Sequence, residues 1–360
     1  MKIGIEEEFI VVDPETLFCT PSVFRLVNGL IYRDSSYVRK CSVELPLHPD
    51  GLSDIFKNVG TAFSVFESKT DPYEDIDKLK DELVFHRKNI ADVAIENNLM
   101  VLSTGLYPLF SPDLFIRDNC AALHVHIDYQ KDVLTRLYEK IPFLISISTN
   151  SPFFDGKPGL MSNRLKYSPA IRVPTEVFRR GSDIIYNKFF NTVEVRVLDS
   201  QVTASDSIGV ASIIKAIAEE KGGCRELNIK EYTLKREKAI SEGAMNCLIP
   251  LEEYERIQNY NEYTKMFLKE RTGSEWQLKI YDKYGLSSVI VSLWKSFCSD
   301  KRKITSSNIS INNDNPSLHD LLYFIPYFPF FVVDKIKKYH QDIGSGICLA
   351  DLNSSVKTEN

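Results

Sequence analysis

Four segments of the chain alternate apolar with charged residues, which is the period of a β-strand. They comprise residues 2–12, 41–47, 121–129 and 192–198. Residues two apart in a strand share a face, so each segment would have one apolar face and one charged face. Strands of a doubly wound parallel sheet are buried on both faces and are apolar throughout. The alternation therefore argues against that fold and is typical of antiparallel strands.

Longer segments between and after these strands have the apolar spacing of helices. Helices are predicted over residues 52–66, 71–98 and 132–149 and from about residue 205, with a further short strand at 100–103. From residue 219 onward the pattern is mainly helical, except for a polar, turn-rich segment at 301–317, which is predicted to be a mobile surface loop. We therefore divide the chain into a core of sheet and helices, 1–220, and a mainly helical part, 221–360, packed on the same domain.

Composition and charge narrow the classes of partner. Of the 360 residues 43% are hydrophobic, and 44 Lys and Arg against 49 Asp and Glu give a formal net charge of −5. This balance is typical of a globular protein with a sizeable core, and it provides no attraction for nucleic acid or an anionic membrane. The apolar run 321–333 is too short to span a bilayer, is interrupted by Pro326 and Pro329, and is predicted to be core. Small molecules are the expected partners.

Two features of the sequence indicate the compartment. The N-terminal segment lacks a basic stretch followed by an apolar one, so no signal peptide is predicted. The seven cysteines are widely spaced and contain no C-x-x-C pair, which argues against a disulfide framework and a zinc knuckle. A reducing cytoplasm is the expected location.

The charged faces of the four strand segments carry a distinctive set of side chains. The residues concerned are Glu6 and Glu8, then Glu44, then His124, His126 and Asp128, and finally Glu194 and Arg196. A solvated face explains the alternation in any single strand, but solvated faces usually mix Lys, Thr, Ser and Gln with the acids. Converging carboxylates repel one another and are costly to bury unpaired, and divalent cations remove that conflict. Oxygen ligands with one imidazole suit Mg²⁺ or Mn²⁺ better than Zn²⁺.

The H-x-H pair, His124 and His126, leaves a second interpretation open. Such a pair on a strand can begin a metallohydrolase site, in which further histidines complete the metal shell. The only histidines beyond His126 are His319 and His340, in segments predicted to be helix or loop. The two remaining histidines, His48 and His86, are predicted to be ordinary surface residues.

Phosphate-binding loops are absent from the sequence. Neither a Walker-type loop nor a G-x-G-x-x-G motif occurs. A bound nucleotide would therefore be held through metal ions and arginines, since a guanidinium can donate two parallel hydrogen bonds to a phosphate or a carboxylate. The candidate arginines are Arg164 and Arg196.

A series of motifs in residues 2–220 resembles a known family. The motifs are Ile3–Phe9 (IGIEEEF) with Asp13–Thr16, Val43–Leu45, Leu123–His126, Ser148–Phe153 with Arg164, and Thr192–Asp199. In this order they resemble the glutamate–cysteine ligase type 2 family, which includes bacterial carboxylate–amine ligases. The resemblance implies an α+β, glutamine-synthetase-like fold, in which a curved, mainly antiparallel sheet forms a cup and helices cover its outer face.

The same resemblance implies an activity and a set of site residues. It implies an ATP-dependent ligase that uses Mg²⁺ or Mn²⁺ and joins the carboxylate of an amino acid to an amine through an acyl phosphate. Glutamate and cysteine are the family's best-known substrates. Glu6, Glu8, Glu44 and Glu194 then correspond to metal ligands, and His124 to a metal or phosphate contact. Arg196 corresponds to a contact with the transferred phosphoryl group and with the cofactor, Arg164 to a substrate carboxylate contact, and His126 has no assigned role.

Departures and alternatives remain beside this interpretation. Pro46 and Pro49 stand near Glu44 where relatives commonly have a small polar residue, so the acceptor side of the pocket is expected to differ. A metal-dependent hydrolase built on His124 and His126 would work without nucleotide, and a non-catalytic relative would bind nucleotide or amino acid without turnover. The sequence leaves homo-oligomer formation open.

Overall fold

The computed structural model describes residues 1–43, 64–111, 120–168, 171, 177–178, 181–220, 228–243, 249–311 and 347–348. The strands are β1 Ile3–Val12, β2 Cys41–Val43, β3 Val65–Lys69, β4 Met100–Leu102, β5 Ala122–Asp128, β6 Phe153–Phe154, β7 Lys157–Pro158, β8 Val177–Phe178, β9 Ile184–Asn187, β10 Thr192–Asp199 and β11 Ile347–Cys348. The helices are α1 Val23–Arg33, α2 Tyr37–Lys40, α3 Ile76–Glu96, α4 Lys131–Ser148, α5 Asn163–Tyr167, α6 Ala204–Ala218, α7 Ile229–Glu242, α8 Leu251–Gln258, α9 Glu262–Phe267, α10 Gly273–Tyr284 and α11 Leu286–Ser299.

Seven strands form the main sheet, in which all pairings are antiparallel. The order is β2-β3-β1-β5-β10-β9, and β4 pairs with the C-terminal half of β1. Of the strands predicted from alternation, β1, β5 and β10 are therefore neighbours and β2 pairs with β3, and a mixed fold of helices and antiparallel sheet is confirmed. The cup shape stays a prediction.

The apolar faces of the central strands pack on helices that flank the sheet in sequence. Val125 of β5 and Val193 of β10 lie in one buried cluster with Leu137 of α4 and Ile213 of α6. Helices beyond residue 228 join the same cluster through Ile240 of α7. The opposite face of these central strands therefore carries most of their charged side chains.

One charge lies on the apolar face, at Glu7 in the middle of β1. Arg87 of α3 pairs with it, with Nη2 donating to Oε1 at 2.6 Å and Nε to Oε2 at 3.0 Å. The Glu7 side chain is 1% exposed and that of Arg87 is 3% exposed. The guanidinium also donates to the carbonyl oxygens of Gln201 and Val202. The pair is thus buried between the sheet and α3 with its hydrogen-bonding groups engaged.

The structure corrects two predictions from the sequence. Val65 and Phe66, placed at the end of a predicted helix, belong to strand β3, because Phe66 pairs with Phe9 and Val65 with Ile10 of β1. Residues 52–63 of that predicted helix lie outside the described residues, as do Glu44, His48 and the apolar run 321–333. His86 is 2% exposed and lies on α3 against Ser68 and Tyr37, so it is a buried residue.

An extended segment, residues 301–311, lies along α11. Ser288, Ser292 and Ser296 of the helix each accept a hydrogen bond from a backbone N–H of this segment, those of Ser307, Thr305 and Lys303, at 2.8 to 2.9 Å. Each serine hydroxyl also donates a hydrogen bond to the backbone carbonyl oxygen of the residue whose N–H it accepts from. We call this arrangement the serine ladder. The mobile loop predicted at 301–317 is therefore tethered over its described part, and residues 312–317 lie outside the described residues.

Among the helices that the structure describes, none combines the length and the apolar character needed to cross a membrane.

Candidate functional site

The register of the sheet places charged residues from separate segments of the chain side by side. Glu6 of β1 is paired with His124 of β5 on one side and with Lys69 of β3 on the other. Glu8 is paired with Glu67 of β3, and Glu194 of β10 with His126. Because cross-strand partners point to the same face, these side chains share the polar face of the sheet.

The first group of ligand atoms comes from Glu6, His124 and Glu194. His124 Nδ1 lies 3.6 Å from Glu6 Oε2 and 3.9 Å from Glu194 Oε1. One ligand atom from each of the three residues lies within 4.8 Å of the others, which is close enough to surround one ion. The predicted convergence of these three residues is therefore observed.

A second group shares His124 and adds Glu8 and Glu67, again within 4.8 Å of one another. Glu8 Oε2 accepts a hydrogen bond from the backbone N–H of Ala122 at 2.8 Å, and Glu67 Oε1 accepts one from Ser42 Oγ at 2.8 Å. These bonds fix the direction of both carboxylates. Glu67 was not predicted as a site residue from the sequence, although Glu67 and Lys69 are two residues apart and so would share one face of a strand.

Lys69 connects the two groups. Its Nζ lies 3.0 Å from Glu6 Oε1 and 2.6 Å from Glu67 Oε1, and its side chain is 28% exposed. The ammonium thus neutralises part of the negative charge of one carboxylate from each group. It lies where a cation is favoured electrostatically.

Positively charged neighbours stabilise the two carboxylates of the first group. Burial alone would raise the pKa of the Glu6 carboxyl, but Lys69 and His126 hold that pKa well below its usual value. Burial also opposes ionisation of Glu194, yet Arg196 and the two histidines lower its pKa. Burial disfavours the charged form of His126, whereas Glu194 and Glu6 raise the pKa of its imidazole above the ordinary value. Both carboxyl groups are therefore ionised at neutral pH.

The donor set fits a hard divalent cation. It offers four carboxylates, of Glu6, Glu8, Glu67 and Glu194, and a single shared imidazole, that of His124. Mg²⁺ and Mn²⁺ prefer oxygen ligands, and Zn²⁺ prefers histidine and cysteine. The described cysteines take no part in either group.

Arg196 lies beside the first group, at an irregularity of β10. Its Nε is 3.3 Å from Glu194 Oε1, and the side chain is 14% exposed. Pairing between β10 and β5 shifts by one residue between Val195 and Leu198, so the strand bulges at Arg196. A partly exposed guanidinium next to a cation site can contact a phosphate, as the resemblance implies.

Arg164 is buried beside the C-terminal end of β10. Its side chain is 2% exposed, and Nε donates to Asp199 Oδ1 at 2.9 Å. Nη2 donates to the carbonyl oxygens of Leu198 and Arg196 at 2.8 and 3.2 Å. The substrate contact implied by the resemblance stays a prediction, and in this structure these two nitrogens are engaged within the protein.

His126 lies at the edge of the first group. Its Nε2 is 3.5 Å from Glu6 Oε2 and 4.0 Å from Glu194 Oε2, and Nδ1 is 3.3 Å from Thr192 Oγ1. The ring therefore contributes positive charge to the group. It is not a member of either group of potential ligands.

Comparisons with known proteins agree with the resemblance. No family model matches the chain. The chain is 24% identical over 265 residues to a Sorangium cellulosum protein named "Putative glutamate--cysteine ligase 2", and 24% identical over 280 residues to one of the same name from Solibacter usitatus. The matches cover 60% and 64% of this chain and 66% and 68% of those proteins, so the chain spans about two thirds of their length.

Two solved structures share the fold. The crystal structure of glutamate–cysteine ligase from Francisella tularensis in complex with AMP matches with a TM-score of 0.53 at 12% identity, over 99% of this chain and 98% of that one. A bifunctional glutathione synthetase from Pasteurella multocida matches with a TM-score of 0.54 at 11% identity, over 83% of this chain and 51% of that one. At such identities the likeness concerns the fold alone.

Proposed function

We propose that the chain is an ATP-dependent carboxylate–amine ligase of the glutamate–cysteine ligase kind, acting on the polar face of a cupped sheet. The observation that carries the proposal is the sheet register, which brings Glu6, Glu8, Glu67, His124 and Glu194 together around two places for a divalent cation. The names of the sequence relatives and the shared fold of the two solved ligases support the choice of reaction.

The chemistry of such a ligation requires activation of a carboxylate. The substrate carboxylate oxygen forms a bond to the γ-phosphorus of ATP, ADP leaves, and an amine then displaces phosphate from the acyl phosphate to give an amide. Bound Mg²⁺ would neutralise negative charge on the phosphate oxygens. No protein nucleophile is required in this sequence of steps.

The residues of the polar face have separate tasks in this proposal. The carboxylates of Glu6, Glu8, Glu67 and Glu194 and the imidazole of His124 hold the cations. Arg196, 3.3 Å from Glu194, donates hydrogen bonds to the transferred phosphoryl group, where charge-assisted bonds stabilise the transition state. Glu44 lies outside the described residues, and its role as a further ligand is part of the proposal.

The direct test is phosphate release from MgATP and glutamate, measured across a panel of amines. We expect release that depends on one amine, together with an amide product detected by mass spectrometry. If no amine supports phosphate release, the ligase proposal is wrong and a non-catalytic binding protein is favoured. Activity that persists without nucleotide and requires a tightly held transition metal would favour the hydrolase built on His124 and His126.

A variant links the activity to the site. Glu194→Ala is expected to abolish turnover and metal-dependent nucleotide binding together, because the carboxylate belongs to the first group of ligands. Glu253→Ala is the matched control, since Glu253 is a similarly shielded glutamate paired with Lys140 on another part of the protein. Normal activity of Glu194→Ala would show that the metal-site assignment is wrong.

A further inference from the structure

Strand β10 contains one residue more than the stretch of β5 with which it pairs. Val195 is paired with Val125 and Leu198 with Leu123, so Arg196 and Val197 together face the single position His124. A bulge of this kind bends the strand and redirects a side chain, and it leaves backbone groups without ladder partners. Here the bulge contains Arg196 and follows Glu194 by two residues, just before the end of the strand.

The guanidinium of Arg164 spans this bulge. Nη2 donates to the carbonyl oxygen of Arg196 at 3.2 Å and to that of Leu198 at 2.8 Å, on either side of the extra residue. Nε of the same side chain donates to Asp199 Oδ1 at 2.9 Å. The planar guanidinium thus connects three points of the bulged strand, at Arg196, Leu198 and Asp199.

Asp199 is in turn held by four donors, which makes the anchor rigid. Besides Arg164, they are Ser162 Oγ at 3.0 Å on Oδ1, and Ser151 Oγ at 2.7 Å and the backbone N–H of Asn150 at 2.8 Å on Oδ2. Gly105 lies so close that a Cβ there would be 2.4 Å from Asp199 Cγ. The carboxylate therefore has no room to move.

We propose that Arg164 is a positioning residue, which fixes the bulge of β10 and so directs Arg196 and Glu194 into the candidate site. The proposal rests on the function proposed above for that site. It replaces the predicted contact with the substrate by an action through the backbone of β10, because the side chain is 2% exposed and donates to Asp199 and to two backbone carbonyl oxygens. Only a guanidinium has the donor geometry to reach all three acceptors, and an ammonium does not.

The test compares Arg164→Lys with the unaltered protein by Mn²⁺ titration, thermal denaturation and steady-state kinetics. We expect Mn²⁺ affinity to fall roughly tenfold, in the range seen when a residue supporting metal ligands is lost. The value of kcat should fall as well, while KM for the carboxylate substrate stays within about twofold. A rise of KM for the carboxylate by roughly tenfold or more, with unchanged Mn²⁺ affinity, would instead indicate a direct substrate contact and overturn the proposal.

Arg136→Lys is the matched control for a merely structural effect. Arg136 is also a buried arginine, which pairs with Asp132 of α4 and donates to the carbonyl oxygen of Ala218 of α6, and neither of these partners belongs to β10. We expect it to lower the melting temperature without changing Mn²⁺ affinity. Equal losses of Mn²⁺ affinity in both variants would overturn the proposal.

Ser162→Ala serves if Arg164→Lys does not fold. It removes one donor to Asp199 and leaves the salt bridge, so Mn²⁺ affinity should fall by about two- to threefold. Unchanged affinity in this variant would contradict the positioning role. Because Mn²⁺ binding needs no turnover, a protein that binds Mn²⁺ as expected yet ligates no amine would refute the proposed function and leave the positioning of Arg196 and Glu194 supported.

Discussion

The three consecutive glutamates of β1 should respond very differently to loss of their charge. Glu7 lies on the apolar face and is paired with Arg87, whereas Glu6 is 20% exposed on the polar face beside Lys69. Glu7→Gln keeps the shape of the side chain and removes its charge, which leaves the Arg87 guanidinium buried without a counter-ion. The substitution therefore measures the stabilisation that depends on this pair.

The expected cost follows from the contacts of Arg87. Removing one partner of a buried ion pair typically costs about 3–5 kcal/mol, because the remaining charge is desolvated without compensation. The bonds that Arg87 retains to the carbonyl oxygens of Gln201 and Val202, at 2.9 and 3.2 Å, offset part of that cost. We therefore expect Glu7→Gln to lower the free energy of unfolding by about 3 kcal/mol.

The assay is chemical denaturation followed by circular dichroism in the presence of EDTA, with Mn²⁺ titration as a second measurement. Glu6→Gln is the matched control in the adjacent position, and we expect it to lower the free energy of unfolding by about 1 kcal/mol or less, as for partly exposed ion pairs. The order of the two effects should be reversed in Mn²⁺ binding, because Glu7→Gln is expected to retain binding and Glu6→Gln to lose it. A loss below about 1 kcal/mol for Glu7→Gln would refute the reasoning.

Three further predictions concern other charges and the serine ladder. Lys69→Met should raise Mn²⁺ affinity in the absence of nucleotide by roughly tenfold, because the ammonium competes for Glu6 and Glu67, and weaker binding in a calorimetric titration would contradict this. Ser292→Ala should speed amide exchange in residues 301–311 by roughly tenfold, measured by mass spectrometry, since it removes two hydrogen bonds, and unchanged exchange would argue against the ladder. Burial opposes ionisation of Glu82, but His86 and Lys40 lower its pKa to about 2. Its ionised form therefore stabilises the fold above its unfolded pKa, and this stability is lost as pH falls toward about 2. The difference in unfolding free energy between the unaltered protein and Glu82→Gln should shrink over that interval, and a constant difference would contradict the assignment.

The alternation of apolar and charged residues was sufficient to predict most of the central sheet. Strands β1, β5 and β10 appear where residues 2–12, 121–129 and 192–198 predict them, because one face of each is mainly apolar. The convergence of Glu6, His124 and Glu194 follows from that alternation once the strands are adjacent. Strand order itself was not predictable from the pattern.

The features that the sequence did not predict depend on long-range contacts. Strand β3 has five residues and follows a run with helical spacing, so its identity is decided by pairing with β1 and not by local preference. Glu67 entered the site only through that pairing. The burial of Arg164 was not predicted either, because nothing near this residue in the sequence indicates that it bonds to the bulge of β10.

The partner of Glu7 was another such feature. Arg87 stands four residues after Leu83 and three before Ile90, so helical spacing places it on the buried face of α3, but spacing does not identify the residue with which it pairs. Only the position of α3 against β1 brings the two side chains together. A charge at an apolar position in a strand therefore indicates a buried partner, although it does not identify which residue provides it.

The serine ladder matches two different repeats, and this limits how long it can be. Four residues of a helix advance about 6.0 Å, whereas two residues of an extended chain advance about 6.6 Å. The mismatch of about 0.6 Å per rung accumulates to about 1.2 Å across three rungs, which hydrogen bonds can absorb. A fourth rung would add the same amount again. The next positions of the series, Tyr284 and Asp300, lie outside α11 and neither is a serine, so no fourth rung continues the ladder where the two repeats would have separated.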